Sequence, residues 1–443
     1  MRDFDDICSV VKDLPIIDWH NHLDMKLLAE DKPLGSLYEV WVKADPYKHR
    51  AMRICGEPER LITGDATECE KWEAWKRTLP KLVGNPLFAW AKMEIEWLNL
   101  FNAESQSSRE SMWWRNLENV SLADWTPSKM LKAFNVECIC PCVGVSELDG
   151  FQVSGRAGCP QPAAARWGQR ALPFSISPSL RMNAGDEISV DDLERFAAAG
   201  CRVVDVSVDD ASQLSIHYAQ LSTVASFAAA HGWTMLLHLG ALRSTSERLR
   251  LAAGPAGGFA GMHAPVDPAA VASFLNELER MPNMFSRKER KETSPHSASL
   301  CVKNGLPRTI LLSLNPKAHA QLAVLSGSFV EEGMPGKVQL GPAWWWCDHA
   351  EGILDVLEKN AAYGVLSTFV GMTTDSRSLL SFVRHDYFRR LLCRWTASKI
   401  ASGDFPDDPE LIEPLLKNVC YSNAKRMLSL DAFNTMALRE VAV

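Results

Sequence analysis

The sequence predicts an α/β protein of the (β/α)8 TIM-type barrel class, with a helical subdomain inserted after the first strand. Short apolar runs alternate with helical patterns along the chain, as in parallel strands joined by helices. Eight such runs are present, the number that closes a barrel. An open doubly wound sheet would usually carry a glycine-rich phosphate loop after strand one. His20 and His22 stand there instead, which favours the barrel.

The predicted barrel strands are short apolar segments spread over almost the whole chain. In order they are Leu14 to Asp18, Val136 to Cys142, Leu172 to Ile176, Cys201 to Val206, Thr234 to Leu239, Thr309 to Leu314, Val338 to Leu340 and Thr368 to Met372. A barrel of this kind uses the full chain, so residues 1–443 are predicted to form a single barrel domain with its insertion.

The interval between the first and second strands is too long for one crossover helix, and residues 30–125 are predicted to form the helical insertion. Its candidate helices carry apolar residues three and four positions apart: Glu68 to Trp75, Pro86 to Leu100 and Glu110 to Leu117. The tryptophans of these helices are expected to pack in a core. Residues 285–300 are mixed in charge and contain Ser and Pro, which predicts a mobile surface loop.

Composition limits which kinds of binding partner and which cellular compartment are expected. The 443 residues are 47% hydrophobic and have a formal net charge of -7. A net negative chain argues against nucleic acid as the main partner, and no apolar run is long enough to span a bilayer. The first residues are acidic rather than signal-like, so we expect a cytoplasmic protein without a membrane partner. A homo-oligomer is left open, since exposed tryptophans in the insertion could form a subunit interface.

The cysteines are scattered along the chain, which is typical of reduced thiols rather than a disulfide framework. The one cluster is Cys138, Cys140 and Cys142. These cysteines alternate along a predicted strand and so share one face, whereas zinc sites usually space their cysteines differently. We interpret all three as small buried hydrophobes.

The first strand ends in Asp18-Trp19-His20-Asn21-His22. Alternate residues of a strand point to the same side, so His20 and His22 can supply the first two ligands of a divalent metal. A histidine pair at a polar strand end without metal is the simpler alternative. The other strand ends favour the metal, because active sites of these barrels lie at the carboxyl ends of the strands.

Three further strand ends carry polar side chains. His238, after the fifth strand, is either a third metal ligand or a hydrogen-bond partner of substrate. An aromatic segment with one carboxylate, Trp345, Trp346 and Asp348, follows the seventh strand. Asp375 and Arg377 follow the eighth strand, where Asp375 could complete a metal site and Arg377 could bind an oxyanion or carboxylate.

These motifs resemble the uronate isomerase family, also called glucuronate isomerases, in the amidohydrolase superfamily. The resemblance extends over nearly the whole chain and is carried by Asp18 to Leu23, Asp45 to Arg53, Thr63 to Ala66, Asn85 to Leu87, His238 to Arg243, Leu314 to Pro316, Gly333 to Lys337 and Phe369 to Ser378. It implies a barrel with a helical insertion. It also implies a metal held by His20, His22 and Asp375, and interconversion of aldo- and keto-hexuronates.

Several positions near the expected pocket depart from the family pattern. Asn21 stands where the family usually has Cys, and Pro46 where it usually has His. Cys142 begins a segment that replaces a Thr-Asp-Asp-Pro type sequence, and Asp205-Val206 stands where an Asp-His pair is expected. The departures concern pocket residues rather than the scaffold, and specificity resides in such residues.

The first hypothesis is therefore a metal-dependent aldose-ketose isomerase acting on a hexuronate such as D-glucuronate or D-galacturonate. The reaction needs a base, an oxyanion stabiliser and a cationic site for the carboxylate. We assign proton transfer to Asp375 and Tyr47, and oxyanion stabilisation to Arg377 or one divalent ion, with Zn²⁺ expected. The predicted substrate contacts are Arg50 or Arg243 for the carboxylate, with His238, Trp345, Trp346 and Asp348 lining the pocket.

Two alternatives remain at this point. A hydrolase or lyase of the same superfamily, acting on a different carboxylate-bearing substrate, could use the same ligands to generate a hydroxide nucleophile. A metal-stabilised binding protein without catalysis is the other alternative.

Overall fold

A curved sheet of parallel strands forms the centre of the structure, a computed structural model that describes residues 3–101, 117, 120, 122–148, 174–243, 245–254, 257–285 and 304–430. Its strands are β1 (Ile16–Asn21), β2 (Val136–Val143), β3 (Ser175–Ile176), β4 (Ser179–Asn183), β5 (Val203–Val208), β6 (Thr234–Leu239), β9 (Arg308–Ser313) and β10 (Val338–Leu340). A separate antiparallel pair consists of β7 (Ala241–Leu242) and β8 (Gly261–Met262).

Strand order in the sheet is β1-β2-β4-β5-β6-β9-β10, with β3 paired to β2. Neighbours therefore follow one another along the chain, and all pairings in this sheet are parallel. Every residue of β1, β5 and β6 is buried, as expected for parallel strands covered on both faces. The predicted strand order of a barrel is thus confirmed along this path.

The eighth predicted strand, Thr368 to Met372, is wrong as a strand. Residues 369–376 are described and contain no ladder strand; a 3-10 turn, Leu366–Thr368, precedes them. Gly371 and Asp375 have positive φ values of 76° and 47°, and such backbone interrupts an extended ladder. The segment still lies in the eighth position, because the Gln339 side chain of β10 accepts a hydrogen bond from the Val370 amide on one side.

On its other side the segment is joined to β1 by main-chain hydrogen bonds. The Asp375 amide donates to the His20 carbonyl at 3.2 Å, and the His22 amide donates to the Ser376 carbonyl at 2.9 Å. An irregular segment therefore closes the barrel between β10 and β1 and brings Asp375 beside the two histidines.

The third strand is also displaced from its predicted position. Leu172 lies outside the described residues, Ser175–Ile176 pairs only with β2, and the strand that links β2 to β5 is Ser179–Asn183. Pro178 separates the two pieces, and proline has no amide hydrogen to donate to a ladder. The other predicted strands match the observed ones, with ends that agree or are shifted by at most three residues.

Helices cover the sheet and occupy much of the described part of the interval after β1. Their bounds are Phe4–Ser9, Met25–Glu30, Leu37–Trp41, Pro46–Ile54, Glu68–Thr78, Pro86–Phe101, Pro127–Ala133, Val145–Leu148, Val190–Ala198, Ser212–Ile216, Tyr218–Ala230, Glu247–Ala253, Pro268–Arg280, His319–Val324, Ala350–Tyr363, Val383–Ser402, Pro409–Lys417 and Asn423–Met427. None of the helices in the described ranges is long and apolar enough to cross a membrane.

Two predicted helices of the insertion, at residues 68 and 86, are present, and Glu110 to Leu117 lies outside the described residues except for Leu117. Trp75 and Trp90 are buried, as expected for core tryptophans. The helical insertion at residues 30–125 and the single domain over residues 1–443 stay predictions. The loop predicted at residues 285–300 lies outside the described residues apart from Phe285.

Candidate metal centre and active site

His20, His22 and Asp375 meet at the carboxyl end of β1. His20 is almost fully buried and His22 is 23% exposed. The Nε2 atoms of both imidazoles lie 3.1 Å from the same carboxylate oxygen, Oδ1 of Asp375. The structure therefore brings together the three residues predicted as metal ligands, although Asp375 is separated from the histidines by more than 350 positions in the sequence.

The buried carboxylate of Asp18, on β1, accepts hydrogen bonds from residues next to the histidines and next to Asp375. Oδ1 of Asp18 accepts the Thr374 amide at 2.6 Å, the Thr373 hydroxyl at 2.8 Å and Nε2 of His385 at 3.2 Å. Oδ2 accepts the Thr374 hydroxyl at 2.7 Å and the Asn21 side-chain amide at 3.0 Å. Asp18 is fully buried and accepts hydrogen bonds from several donors. Because two of these donors are Thr373 and Thr374, which directly precede Asp375, Asp18 helps to hold the left-handed backbone of Asp375.

The charges at this contact favour an ionised aspartate. Burial alone would raise the pKa of Asp375, but its hydrogen bonds to His20 and His22 hold that pKa well below its usual range. Burial likewise opposes protonation of His20, yet neighbouring Cys142, Asp205 and Asp375 raise the pKa of His20 well above its ordinary value. Burial lowers the pKa of His22 to about 4, so this second imidazole is neutral.

Two imidazole nitrogens and one carboxylate oxygen make a donor set that suits zinc and other divalent transition metals. Ligand atoms around a tetrahedral ion lie roughly 3.4 Å apart for bonds of about 2.0 to 2.2 Å. The two distances of 3.1 Å to Oδ1 of Asp375 are close to that spacing. These residues can therefore supply ligands to one metal ion. The ligand atoms of His20, His22 and Cys142 form a further candidate group, all within 4.8 Å of one another.

The Nδ1 edge of the His20 imidazole, opposite the Nε2 that contacts Asp375, faces a second polar group. Its Nδ1 lies 3.2 Å from the sulfur of Cys142, and that sulfur lies 3.4 Å from Oδ2 of Asp205. Asp205 is fully buried and pairs with Arg181. The pKa of Asp205 lies well below its usual range, because Arg181 and His238 outweigh the effect of burial.

This contact corrects the interpretation of the cysteine cluster. Cys138 and Cys140 are buried hydrophobic residues, as predicted, and they pack in the apolar interior of the barrel. Cys142 is different, because its sulfur contacts a histidine and a carboxylate.

His238 lies on the Asp205 side of His20. Its Nδ1 is 2.6 Å from Oδ1 of Asp205, and its ring centroid is 4.8 Å from that of His20. Nε2 of His238 is buried and has no hydrogen-bond partner among the described residues. Ligand atoms of His20, Asp205 and His238 lie within 4.8 Å of one another. Both predicted roles of His238, metal ligation and substrate contact, stay predictions.

A second cluster lies around Tyr47. Its hydroxyl is 2.9 Å from both carboxylate oxygens of Asp348 and accepts the Trp346 amide at 3.2 Å. Arg384 donates to Asp348 at 3.3 Å and stacks over the Trp90 ring at 4.2 Å. Burial raises the pKa of Asp348 to about 6, and burial together with Asp348 raises the pKa of Tyr47 well above its ordinary value.

The three predicted arginines occupy different environments. The Arg50 guanidinium lies over the Trp346 ring at 4.6 Å, and Trp346 packs on Trp345 with centroids 5.0 Å apart. Arg243 is already engaged, since it bonds to Asp209 and to the Ser207 hydroxyl, each at 2.9 Å. Arg377 is half-buried near His22, and no acidic side chain in the described part of the chain pairs with it.

Sequence reasoning missed four residues of these clusters as site residues: Asp18, Arg181, Asp205 and Arg384. Arg181 and Asp205 are charged residues on barrel strands, and this position is the sequence feature that could have identified them. Asp18 has the sequence context of a buried strand. Arg384 lies in the long helix Val383–Ser402, and no local sequence pattern indicates that its side chain reaches Asp348.

Comparisons with known proteins agree on one family. The family model for glucuronate isomerase matches residues 6–145 and 187–428 of this chain. A uronate isomerase of Bacillus licheniformis is 31% identical over 464 residues, covering 95% of this chain and 93% of that protein. One from Pectobacterium carotovorum is 33% identical over 474 residues, with coverage of 95% and 94%.

Two solved structures share the fold. The uronate isomerase of Thermotoga maritima superposes with a TM-score of 0.74 at 23% identity, covering 95% of this chain and 96% of that one. The glucuronate isomerase of Caulobacter crescentus gives a TM-score of 0.72 at 19% identity, with coverage of 97% and 94%.

Proposed function

The chain belongs to the glucuronate isomerase family, and from this premise we propose that it interconverts an aldo-hexuronate and its keto isomer at a divalent metal held by His20, His22 and Asp375. The observation that carries the proposal is the shared contact of both imidazole Nε2 atoms with Oδ1 of Asp375, at 3.1 Å each. Relatives that cover nearly the whole chain are uronate isomerases.

A bound divalent metal would polarise the substrate oxygens as a Lewis acid. The ligands are nitrogen and oxygen atoms, and zinc is the ion we propose for them. His20 is fixed by burial, whereas His22 and Asp375 are partly exposed.

Asp375 is the proposed base. Its Oδ1 is engaged by the two histidines, while Oδ2 accepts no hydrogen bond from the described residues. That second oxygen is the atom proposed to take the proton from the substrate carbon and return it to the adjacent carbon. The net change of an aldose-ketose isomerisation is the transfer of one proton from C2 to C1 and of a second proton from the C2 hydroxyl to the C1 oxygen.

Tyr47 is the proposed partner that handles the proton on substrate oxygen. Its raised pKa keeps the phenol protonated at neutral pH, so it acts as an acid first. Asp348, with a pKa of about 6, accepts the hydrogen bond of that phenol and lies beside the Arg384 guanidinium. This pair can hold one proton near the reacting oxygens.

The substrate carboxylate needs a cation without a committed partner. Among the described residues, neither Arg50 nor Arg377 has an acidic partner, and Arg50 stacks on Trp346. Arg243 would first have to release Asp209, so we propose Arg50 as the carboxylate clamp and Arg377 as the stabiliser of the developing oxyanion. Trp345 and Trp346 are proposed to form one wall of the sugar site.

The test is a proton NMR assay of zinc-loaded protein with D-glucuronate and D-galacturonate in heavy water. We expect the keto-uronate to appear and deuterium to enter the carbon next to the carbonyl. Turnover without deuterium would contradict proton transfer through Asp375 and favour an internal hydride shift. No turnover of either sugar by metal-replete protein would contradict the isomerase proposal and favour the hydrolase or lyase alternative.

A further inference from the structure

We propose that Cys142 is a positioning residue of the metal centre: its thiol connects His20 to Asp205 and fixes the imidazole so that Nε2 faces the metal. The inference rests on the metal centre of the proposed function. It assigns a role to a residue that composition and spacing suggested was only a small buried hydrophobe.

The two edges of the His20 imidazole have different partners. His20 presents Nε2 to Asp375 at 3.1 Å and Nδ1 to the Cys142 sulfur at 3.2 Å. A neutral imidazole that binds a metal through one nitrogen carries its hydrogen on the other nitrogen. With Nε2 on the metal side, Nδ1 must donate, and the sulfur is the acceptor within reach.

The direct route from His20 to a carboxylate is too long. Nδ1 lies 3.9 Å from Oδ2 of Asp205, beyond hydrogen-bond length. Sulfur closes this gap, since it is 3.2 Å from Nδ1 and 3.4 Å from Oδ2. The thiol accepts the imidazole hydrogen and donates its own hydrogen to the carboxylate. Metal-bound histidines usually meet a carboxylate, carbonyl or water directly on this edge, and here a thiol stands between.

The far end of this connection is rigid. Asp205 is fully buried, pairs with Arg181 and contacts Nδ1 of His238 at 2.6 Å. Arg181 is also bound to the Ser207 hydroxyl at 2.6 Å. The carboxylate therefore cannot turn towards His20, and the direction of the thiol hydrogen is set by a fixed acceptor.

The near end is rigid as well. Cys142 lies on β2 and is paired with Ser179 of β4, so its main chain is held in the barrel. Because the cysteine side chain is short and its strand is paired, the sulfur has few ways to leave Nδ1 of His20. The arrangement therefore selects one tautomer of His20, the one that leaves the Nε2 lone pair free for a cation.

Two substitutions separate the hydrogen-bonding role from packing. Cys142→Ser keeps an atom that can both accept and donate, whereas Cys142→Ala removes both functions. Loss of an outer partner of a metal-bound histidine typically lowers metal affinity about 10- to 100-fold. We expect that loss in C142A and a smaller loss in C142S. The matched control is Cys138→Ala, which removes a buried thiol of the same strand that contacts the Ile139 carbonyl oxygen at 3.9 Å.

The measurements are zinc affinity by chelator competition and ¹⁵N NMR of histidine-labelled, zinc-loaded protein. In the unmodified protein and in C138A, His20 should show a protonated Nδ1 and a metal-bound Nε2. In C142A the Nδ1 hydrogen should exchange faster with water, and C142S should restore slow exchange. Neither readout depends on isomerase activity, so failure here is distinguishable from failure of the proposed reaction.

Two results would overturn the proposal. Unchanged zinc affinity together with an unchanged His20 spectrum in C142A would show that the thiol only packs. Sulfur-to-metal charge-transfer absorption in cobalt-loaded, unmodified protein would place Cys142 among the ligands themselves. This second measurement needs no variant, so it can overturn the proposal even where C142A fails to fold.

Discussion

Thr374 donates both its main-chain amide and its hydroxyl to Asp18, at 2.6 and 2.7 Å. The first strand thereby holds the residue that immediately precedes Asp375. A metal centre built from β1 and an irregular segment depends on such a connection, because no ladder pairing positions residues 369–376.

Replacing Asp18 with Asn should therefore loosen the metal centre. The amide nitrogen introduced by this substitution would face hydrogen-bond donors, and a buried donor without an acceptor costs about 1–3 kcal/mol. We expect a lower free energy of unfolding by that order and weaker zinc binding, measured by urea titration and chelator competition. Asp24→Asn is the control, since the exposed Asp24 caps the helix Met25–Glu30 and Asn caps equally well. Equal behaviour of the two variants would contradict the connection.

Removal of the Tyr47 hydroxyl tests the proposed acid. Tyr47→Phe keeps the ring packed between Trp90 and Trp346 but cannot donate a proton. Steady-state kinetics should show kcat lower by roughly 10²- to 10⁴-fold with bound zinc unchanged. Tyr218→Phe, on the helix Tyr218–Ala230, should behave as the unmodified protein. A Y47F protein with normal kcat would remove Tyr47 from the mechanism.

Arg377 is predicted to act on substrate and not on the metal. Arg377→Met should abolish turnover while zinc content, measured by elemental analysis, stays nearly the same. Arg377→Lys keeps the charge but loses the planar fork, and we expect it to recover only a small part of the activity. If R377M loses its zinc, the residue is structural instead.

Metal removal should stop the reaction reversibly. Dialysis against a chelator is expected to abolish isomerisation, and added Zn²⁺ should restore it. His22→Ala should lose both zinc and activity, whereas His231→Ala, at the end of a helix, should retain both. Full activity in metal-free protein would contradict the proposed centre.

His49 gives a prediction for stability against pH. Burial holds its pKa at about 4 in the folded chain, against about 6.5 when unfolded. Between these values only the unfolded chain takes up the proton, so the free energy of unfolding falls as the pH drops from about 6.5 to about 4. The largest effect is about 3 kcal/mol. His49→Gln should flatten this part of the urea-unfolding profile, and an unchanged slope would refute the assignment.

The fold could be predicted because strand order follows chain order in a barrel and each strand is an apolar run. The irregular eighth segment could not, because the residue before Asp375, where φ is positive, is held by Asp18, which also bonds to His385, and these residues are distant in sequence. The break at Pro178 was visible in the sequence, but the pairing of the strand beyond it was not.

The family, the strand order and the residues at the strand ends, including His20, His22 and Asp375, could be read from the amino-acid sequence. These follow from local periodicity and motifs. The tertiary structure alone decided which atoms meet: Oδ1 of Asp375 with both imidazoles, and the sulfur of Cys142 with the far edge of His20. Such contacts depend on register and side-chain direction across strands that are remote in the chain, and no local pattern encodes them.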